Sequence, residues 1–485
     1  MRRKFSFPVT KIVTLWFISF LLCHCASKKA EDTQNSWKQV EKIKAQIQPP
    51  TFPDRSFPIT DFGAEAGGEV KSTEAFARAI QKAHDSGGGK VVVPKGTFLT
   101  GAIHLKSNVN LHLEKGATIL FSRDPQDYLP VVFTRWEGME LMNYSPFIYA
   151  YDQQNIAVTG KGTLDGNAST EYWWPWKGNK EDGWEEGMPN QDADRDSLHH
   201  LNAEKVPPRE RVFGEGHYLR PNFVQFYKSK NILISGVTLV RSPMWNIHPV
   251  LSENVTIKDV RIETLGPNND GVNPESSKNV LITDSYFDTG DDCIAIKSGR
   301  NQDGRRIGVP SENIIIENSV MKNGHGGIVI GSEISGGVRN VFARNLQMDS
   351  PNLDRVLRIK TSSKRGGTTE NIYLMNIEVG QYKEAAIKAN MFYEPPGEFM
   401  PTIRNIVVEN LQVENGGEYG VLIEAYEESP VENLKVINST IKGVEKTLEV
   451  NNAKGLQFQN VTINGEEFNK TFGAESFEDS ENEAQ

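Results

Sequence analysis

From the middle of the chain to its end one phrase recurs: an asparagine, then apolar, any residue, apolar. It starts at Asn231, Asn254, Asn279, Asn313, Asn340, Asn371, Asn405 and Asn433. Its shortest intervals are 23, 25, 27 and 28 residues, and the longer ones, 31 and 34, are what loop insertions add. Fainter copies occur at Asn155 and over Val109 to Leu113. Short β-branched strands at this period, with no helical segments between them, predict an all-β solenoid of parallel strands, a β-helix. One turn cannot bury its apolar side alone, so turns stack, and a recurrent asparagine can then hydrogen-bond to its copy above and below. A β-sandwich also has many short strands, but Asn-Gly hairpin signals are too sparse here for one.

A solenoid needs its open end covered. Ser72 through Ala83, apolar at Ala75, Phe76, Ala79, Ile80 and Ala83 and followed by Gly87-Gly88-Gly89, predicts a short capping helix at the N-terminal end. Residues 171–220 break the rhythm with Trp173, Trp174, Trp176 and Trp184 among Gly, Pro and charges, and predict a long ordered loop over the solenoid. Those tryptophans either stack on a sugar or pack the loop down.

Residues 1–24 read as an export signal: Arg2, Arg3 and Lys4 precede an apolar run from Ile12 to Leu22 that is too short to span a bilayer. It ends in Cys23-His24-Cys25, and a cysteine there suits lipidation, with Cys25 preferred over Cys23 and an ordinary secreted protein as the alternative. Residues 25–50 then form a flexible tether, 51–473 a single β-helical domain and 474–485 an acidic disordered tail. Cleavage removes Arg2, Arg3, Lys4 and Lys11, taking the formal net charge from −10 to −14. So acidic a chain is a poor partner for nucleic acid, and its membrane contact is expected only through a lipid anchor. Cys293 remains as the sole internal cysteine, so stability must come from packing rather than a disulfide.

Four polar clusters fall on successive turns: Asn268-Asn269-Asp270, Gly290-Asp291-Asp292, Gly324-His325-Gly326 and Arg358-Ile359-Lys360. Asp291 lies twelve residues after Asn279, and His325 twelve after Asn313, which predicts both at one angular position on neighbouring coils. Asp270, sixteen after Asn254, and Arg358, eighteen after Asn340, join that column only if inserted residues are absorbed. An Asp-Asp pair is usually a solvated turn, and both side chains share a cleft only if the backbone bends, which Gly290 permits. Three carboxyls in one cleft repel, so at least one is held protonated for a leaving oxygen while others draw a proton from water. That is the inverting arrangement, with carboxyls roughly 6.5–9.5 Å apart. The glycines around His325 are either a tight corner or room for a sugar. Arg358 and Lys360 share a strand face and suit a uronic acid carboxylate, Arg as a fork and Lys as a point charge. Lys297, Arg300, Arg305, Arg306, Lys364 and Arg365 would offset repulsion between an acidic protein and a polyanion.

These four clusters, in this order, resemble the signature of the polygalacturonases, family 28 of the glycoside hydrolases, and the resemblance runs from about Ile59 to Asn464. Only Asn269 departs, where the family has threonine at a position that is not catalytic. The resemblance implies a right-handed parallel β-helix, no metal and no cofactor, and action on pectic polysaccharide as a monomer. It implies Asp291 as general acid, Asp270 and Asp292 as activators of water, His325 as support for the acid, and substrate contacts from Asn268, Arg358 and Lys360. A substrate-binding tyrosine beyond Arg358-Ile359-Lys360 falls on Tyr393 or Tyr382, with Tyr393 better placed. Fungal members carry a disulfide cysteine after Asp-Asp, whereas Cys293 has no partner and is expected as a buried thiol.

Intact histidine and cation motifs favour galacturonic acid over rhamnogalacturonan or xylogalacturonan. Asp270–Ser277 and Lys297–Arg306 look most like bacterial exo-acting members, with the insertions at 171–220 and 394–402 available to close one end of the cleft; endo action stays open. The rivals are a β-helix pectate lyase, which needs a Ca²⁺ cluster, and a non-catalytic glycan-binding β-helix, which has no use for the acids. The expected location is periplasmic or outer-membrane, or outside if secreted.

Overall fold

The computed structural model describes residues 37–473; the expected signal segment, Cys25 and the expected acidic tail lie outside them. Contacts divide the chain into two units, Met1–Gln46 and Ile47–Gln485. In the first, residues 37–46 are helical, with Val40 and Ile43 buried three residues apart. That helix falls within the tether expected over 25–50, its apolar residues at helical spacing among charged ones.

The second unit is a parallel β-helix, right-handed as parallel crossovers are. The first sheet, of 23 strands, carries two rows of strands along the helix that run together from Val338–Met348 onward. Another face runs from Ile103–His104 through Ile247–Val250, continues at Val272 by isolated bridges, and goes on from Ile294–Ile296 to Lys446–Asn451. Adjacent coils pair in register, so like sits on like: Ile232, Val255, Val280, Ile314, Val341, Ile372, Ile406 and Leu434 stack as one buried column. Each is apolar because each sees only the residue above, the residue below and the interior.

The asparagines of the repeat form a continuous ladder. Asn155 donates to Asn108, Asn231 to Asn155, and so on through Asn254, Asn279, Asn313, Asn340, Asn371, Asn405 and Asn433, at 3.0–3.3 Å. Every one has φ between 53° and 65°. Asparagine tolerates this left-handed bend, and its amide both donates and accepts, so one residue type satisfies both needs.

The helix Thr73–Asp85 lays Ala75, Phe76, Ala79, Ile80 and Ala83 into the core at the N-terminal end, on the face expected of it. At the other end Glu466–Glu467 and Thr471–Phe472 turn antiparallel onto Leu456–Ile463, and Phe468 and Phe472 pack against Phe458. Three excursions depart from the expected all-strand coils: a hairpin, Val132–Trp136 with Met139–Asn143, and the helices Asp192–Ala203 and Asn301–Ile307. Arg211 ties the hairpin to the second of these helices by bonding Asp303 at 2.7 Å and the Glu140 carbonyl at 3.1 Å. Among the described residues no helix is long and apolar enough to cross a membrane.

Candidate active site

The four clusters converge on one cleft of about 940 Å³, lined among others by Asn268, Asp270, Asp291, Asp292, His325, Arg358, Lys360 and Tyr393. Strand register explains how. Ile294 pairs with Ile328, which sets Asp291 level with His325 as the equal offsets predicted. Val272 bridges Ile294, so Asp270 is level with Asp292 rather than with Asp291. Ile328 pairs with Leu357, so Asp354 continues the histidine column and Arg358 is level with Val329, further along the strand. The expected single column is therefore spread along the strands: Asp291 with His325, Asp270 with Asp292 one residue on, and Arg358 further still.

Gly290 is required by close approach: a β-carbon there would come within 2.3 Å of the Gly266 carbonyl oxygen on the coil before. At Gly324 a β-carbon would sit 2.7 Å from the Asp291 carbonyl oxygen, and φ is +153°. Of the two readings of the glycines beside His325, tight coil packing is thus the one with a named contact.

Asp291 Oδ1 accepts from its own neighbour's backbone, Asp292 N, at 2.9 Å and lies 3.0 Å from His325 Nδ1. Asn268 Nδ2 reaches Asp291 Oδ2 at 3.4 Å, while Asn268 Oδ1 accepts from Arg220 at 2.7 Å. Asn269, the departure from the family pattern, is wholly buried and donates to the Ser242 and Met244 carbonyls, so it fastens the loop. Asp270 accepts from Asn273 at 2.6 Å and has Lys297 Nζ at 3.7 Å. Asp292 accepts from Lys360 at 2.8 Å and stands 3.7 Å from Arg358 Nη1. Both cations lie beneath Tyr393, at 5.3 and 5.6 Å from its ring centre. Tyr393 is 44% exposed at the cleft, whereas Tyr382 is buried and donates to the Tyr419 carbonyl.

The protons are distributed unequally. Burial and then the charge of Asp291 push the Asp270 carboxyl well above its ordinary range, against the pull of Lys297. Burial works to raise Asp291 too, but the hydrogen bond and charge of His325, with Lys360 and Lys297, hold it well below that range. His325 is raised in return, chiefly by its bond to Asp291. The raised carboxyl is therefore Asp270, and the proton nearest Asp291 rests on the imidazole 3.0 Å away. Cys293 is a free buried thiol that burial pushes up to about 12, as expected of a packing residue. Among the described residues no group of three or more His, Cys, Asp or Glu is placed to hold a metal ion.

The excursions wall the cleft with residues that carry no recognisable pattern. Glu137 comes from the hairpin, Arg195, Asp196 and His199 from the helix Asp192–Ala203, and Glu394 from the loop after Tyr393. An alternation broken by Glu137-Gly138 was the available hairpin signal. Arg300 joins the walls, bonding Glu137 at 2.7 Å and Glu394 at 2.8 Å. Lys297, Arg300, Arg306 and Arg365 are thus held by acids of this chain and do not stand free toward a polyanion. Of the tryptophans, Trp173 packs among Tyr128, Phe147 and Trp176, and Trp174 donates to the Ser242 carbonyl. These insertion tryptophans hold the loop down, and neither they nor Trp184 line the cleft.

Three carboxyls, an imidazole and paired cations on a β-helix define a glycoside hydrolase. Residues 214–465, more than half the chain, match the family described as Glycosyl hydrolases family 28, and the chain belongs to that family. A probable polygalacturonase of Vitis vinifera is 29% identical over 412 residues, 81% of this chain and 75% of that protein. An exo-poly-alpha-D-galacturonosidase of Dickeya chrysanthemi is 27% identical over 437 residues, 84% of this chain and 70% of the other. The crystal structure of a hyperthermoactive exopolygalacturonase from Thermotoga maritima superposes with a TM-score of 0.86 at 46% identity, covering 90% of this chain and 98% of that one.

Proposed function

We propose that this protein hydrolyses α-1,4-linked galacturonic acid in pectic polysaccharide with inversion, releasing units from a chain end. The observation that carries the reading is the pairing of Asp291 with His325 at 3.0 Å beside two further carboxyls, with Arg358 and Lys360 under an exposed Tyr393. Asp291 and His325 share one proton, and as the glycosidic oxygen gains charge Asp291 passes that proton to it. Asp292 and, once ionised, Asp270 take a proton from the water that attacks the opposite face of the sugar. Arg358 and Lys360 hold the substrate carboxylate, Tyr393 covers it, and Asn268 orients Asp291.

Chain-end action is supported by the walls from the hairpin, the insertion helix and the Glu394 loop, and by the exopolygalacturonase relative at 46% identity. Lipidation at Cys25, export and a monomeric state rest on the sequence alone. Incubation with polygalacturonate and with trigalacturonate tests the function. Monogalacturonate or digalacturonate should dominate from the first minutes, insensitive to chelator. A product absorbing in the ultraviolet would mean a lyase, and a ladder of mid-length oligomers would mean endo cleavage.

A further inference from the structure

Behind the cleft one cation reaches Asp270. Lys297 has a side chain only 4% exposed. Its Nζ donates to the Gly331 carbonyl and to Glu333 Oε2, both at 3.1 Å, stands 3.7 Å from Asp270 Oδ2, and lies 4.6 Å from the centre of the Trp245 ring. Two acceptors and an aromatic face fix the ammonium, leaving its remaining charge directed at Asp270. Its neighbour Lys360 is already bonded to Asp292 at 2.8 Å. Glu275, the other acid nearby, is taken by Arg135 at 3.1 Å and His248 at 2.7 Å, so it does not draw Lys297 away.

We propose that Lys297, clamped by Glu333 and Trp245, is a positioning residue whose fixed charge allows Asp270 to ionise in the cleft for water activation. This rests on the hydrolytic reading of the cleft given above. The groups facing Asp270 are Asp291 and Asp292, which disfavour its charge, and Lys297 and Lys360, which favour it. Those facing Lys297 are Glu333, Asp270 and Asp292. Glu333 in turn faces Arg300, Arg365 and Lys360. Lys297 therefore sits between a permanent structural acid and a working one. Loss of the cation leaves Asp270 protonated at pH values where it now ionises; loss of Glu333 gives Asp270 a larger share of the cation.

The test is the pH profile of kcat on trigalacturonate for Lys297→Met, Glu333→Gln and the double variant. Lys297→Met should move the acid limb up by about one pH unit or more, the effect of one adjacent charge. KM should change less than twofold. Glu333→Gln should move the same limb the other way. Lys297→Met takes from buried Glu333 its nearest cation, so where that variant does not accumulate the double variant, which removes that acid too, is read in its place and should keep the upward shift. An acid limb unmoved in the double variant, equal shifts of one sign in both singles, or a rise in KM at constant kcat would overturn the proposal. A lyase product from the wild type would instead overturn the hydrolytic reading beneath it.

Discussion

The asparagine bend and the cleft bend are both rows of polar groups stacked on a β-helix, but they are satisfied in opposite ways. On the ladder each amide meets an identical amide one coil away, and the pattern repeats from Asn108 to Asn433 without a partner from outside. In the cleft no residue meets its own kind except acid with acid, and charge is balanced across coils, as in Lys360 with Asp292 and Lys297 with Glu333. Self-complementary stacking specifies a structure; mismatched stacking leaves groups such as Asp292 Oδ1 buried without a hydrogen-bond partner, able to serve a substrate. Substitutions in the two rows should separate activity from stability.

The largest separation is expected at Asp291→Asn. It removes the group placed to protonate the leaving oxygen, so kcat should fall by about 10²–10⁴-fold while the unfolding midpoint stays near wild type. Turnover near normal would refute the assignment. Next comes Arg358→Ala. Loss of hydrogen bonds to a charged group, each about 1.5–3 kcal/mol, should lower kcat/KM on galacturonan by one to two orders of magnitude, at about 1.4 kcal/mol per decade. A neutral aryl galactoside should be turned over equally poorly with and without Arg358. Equal losses on both substrates would leave the carboxylate role without support.

The ladder row was legible in the sequence because it repeats: the period, the strands and the equal offsets of Asp291 and His325 all follow from counting after each asparagine. The cap helix was legible for a related reason, its apolar residues falling at helical spacing. What repeats nowhere was not legible. Glu137, His199 and Glu394 sit in excursions of three different kinds, and their shared cleft exists only once coils stack. The alignment of Asp270 with Asp292 was hidden likewise, since inserted residues at Leu265–Asn268 move the count but not the strand register. Even the proton's resting place depended on a contact 34 residues away, between His325 and Asp291.

That contact sets a smaller effect, on pH dependence. The bond to Asp291 raises His325 above its ordinary 6.5, so the imidazolium persists above that pH and is lost as pH rises through the raised value. The basic limb of kcat should therefore lie above pH 6.5. His325→Asn should abolish that limb and lower kcat, because Asp291 loses the imidazolium beside it. A basic limb unchanged in the variant would show that another group carries the proton.

The smallest effect on activity, none, is expected on the ladder, where one coil offers an internal control. Asn371 and Asn376 lie five residues apart, at φ 60° and 56°, and each sits between two ladder partners. They differ in burial: Asn371 is partly buried and Asn376 is exposed. Alanine at either position bears the left-handed backbone, about 1–2 kcal/mol. At Asn371 it also strips a partner from Asn340 and Asn405 where water has little access, a further cost of about 1–3 kcal/mol. At Asn376 water replaces the lost amide. Asn371→Ala should therefore melt below Asn376→Ala, and Asn371→Gly, which relieves the backbone alone, should recover part of the difference from wild type. Both alanine variants should keep wild-type kcat, because neither row of amides reaches the cleft. Equal melting of the two alanine variants would mean that backbone conformation, not satisfaction of the amides, is what the asparagines supply.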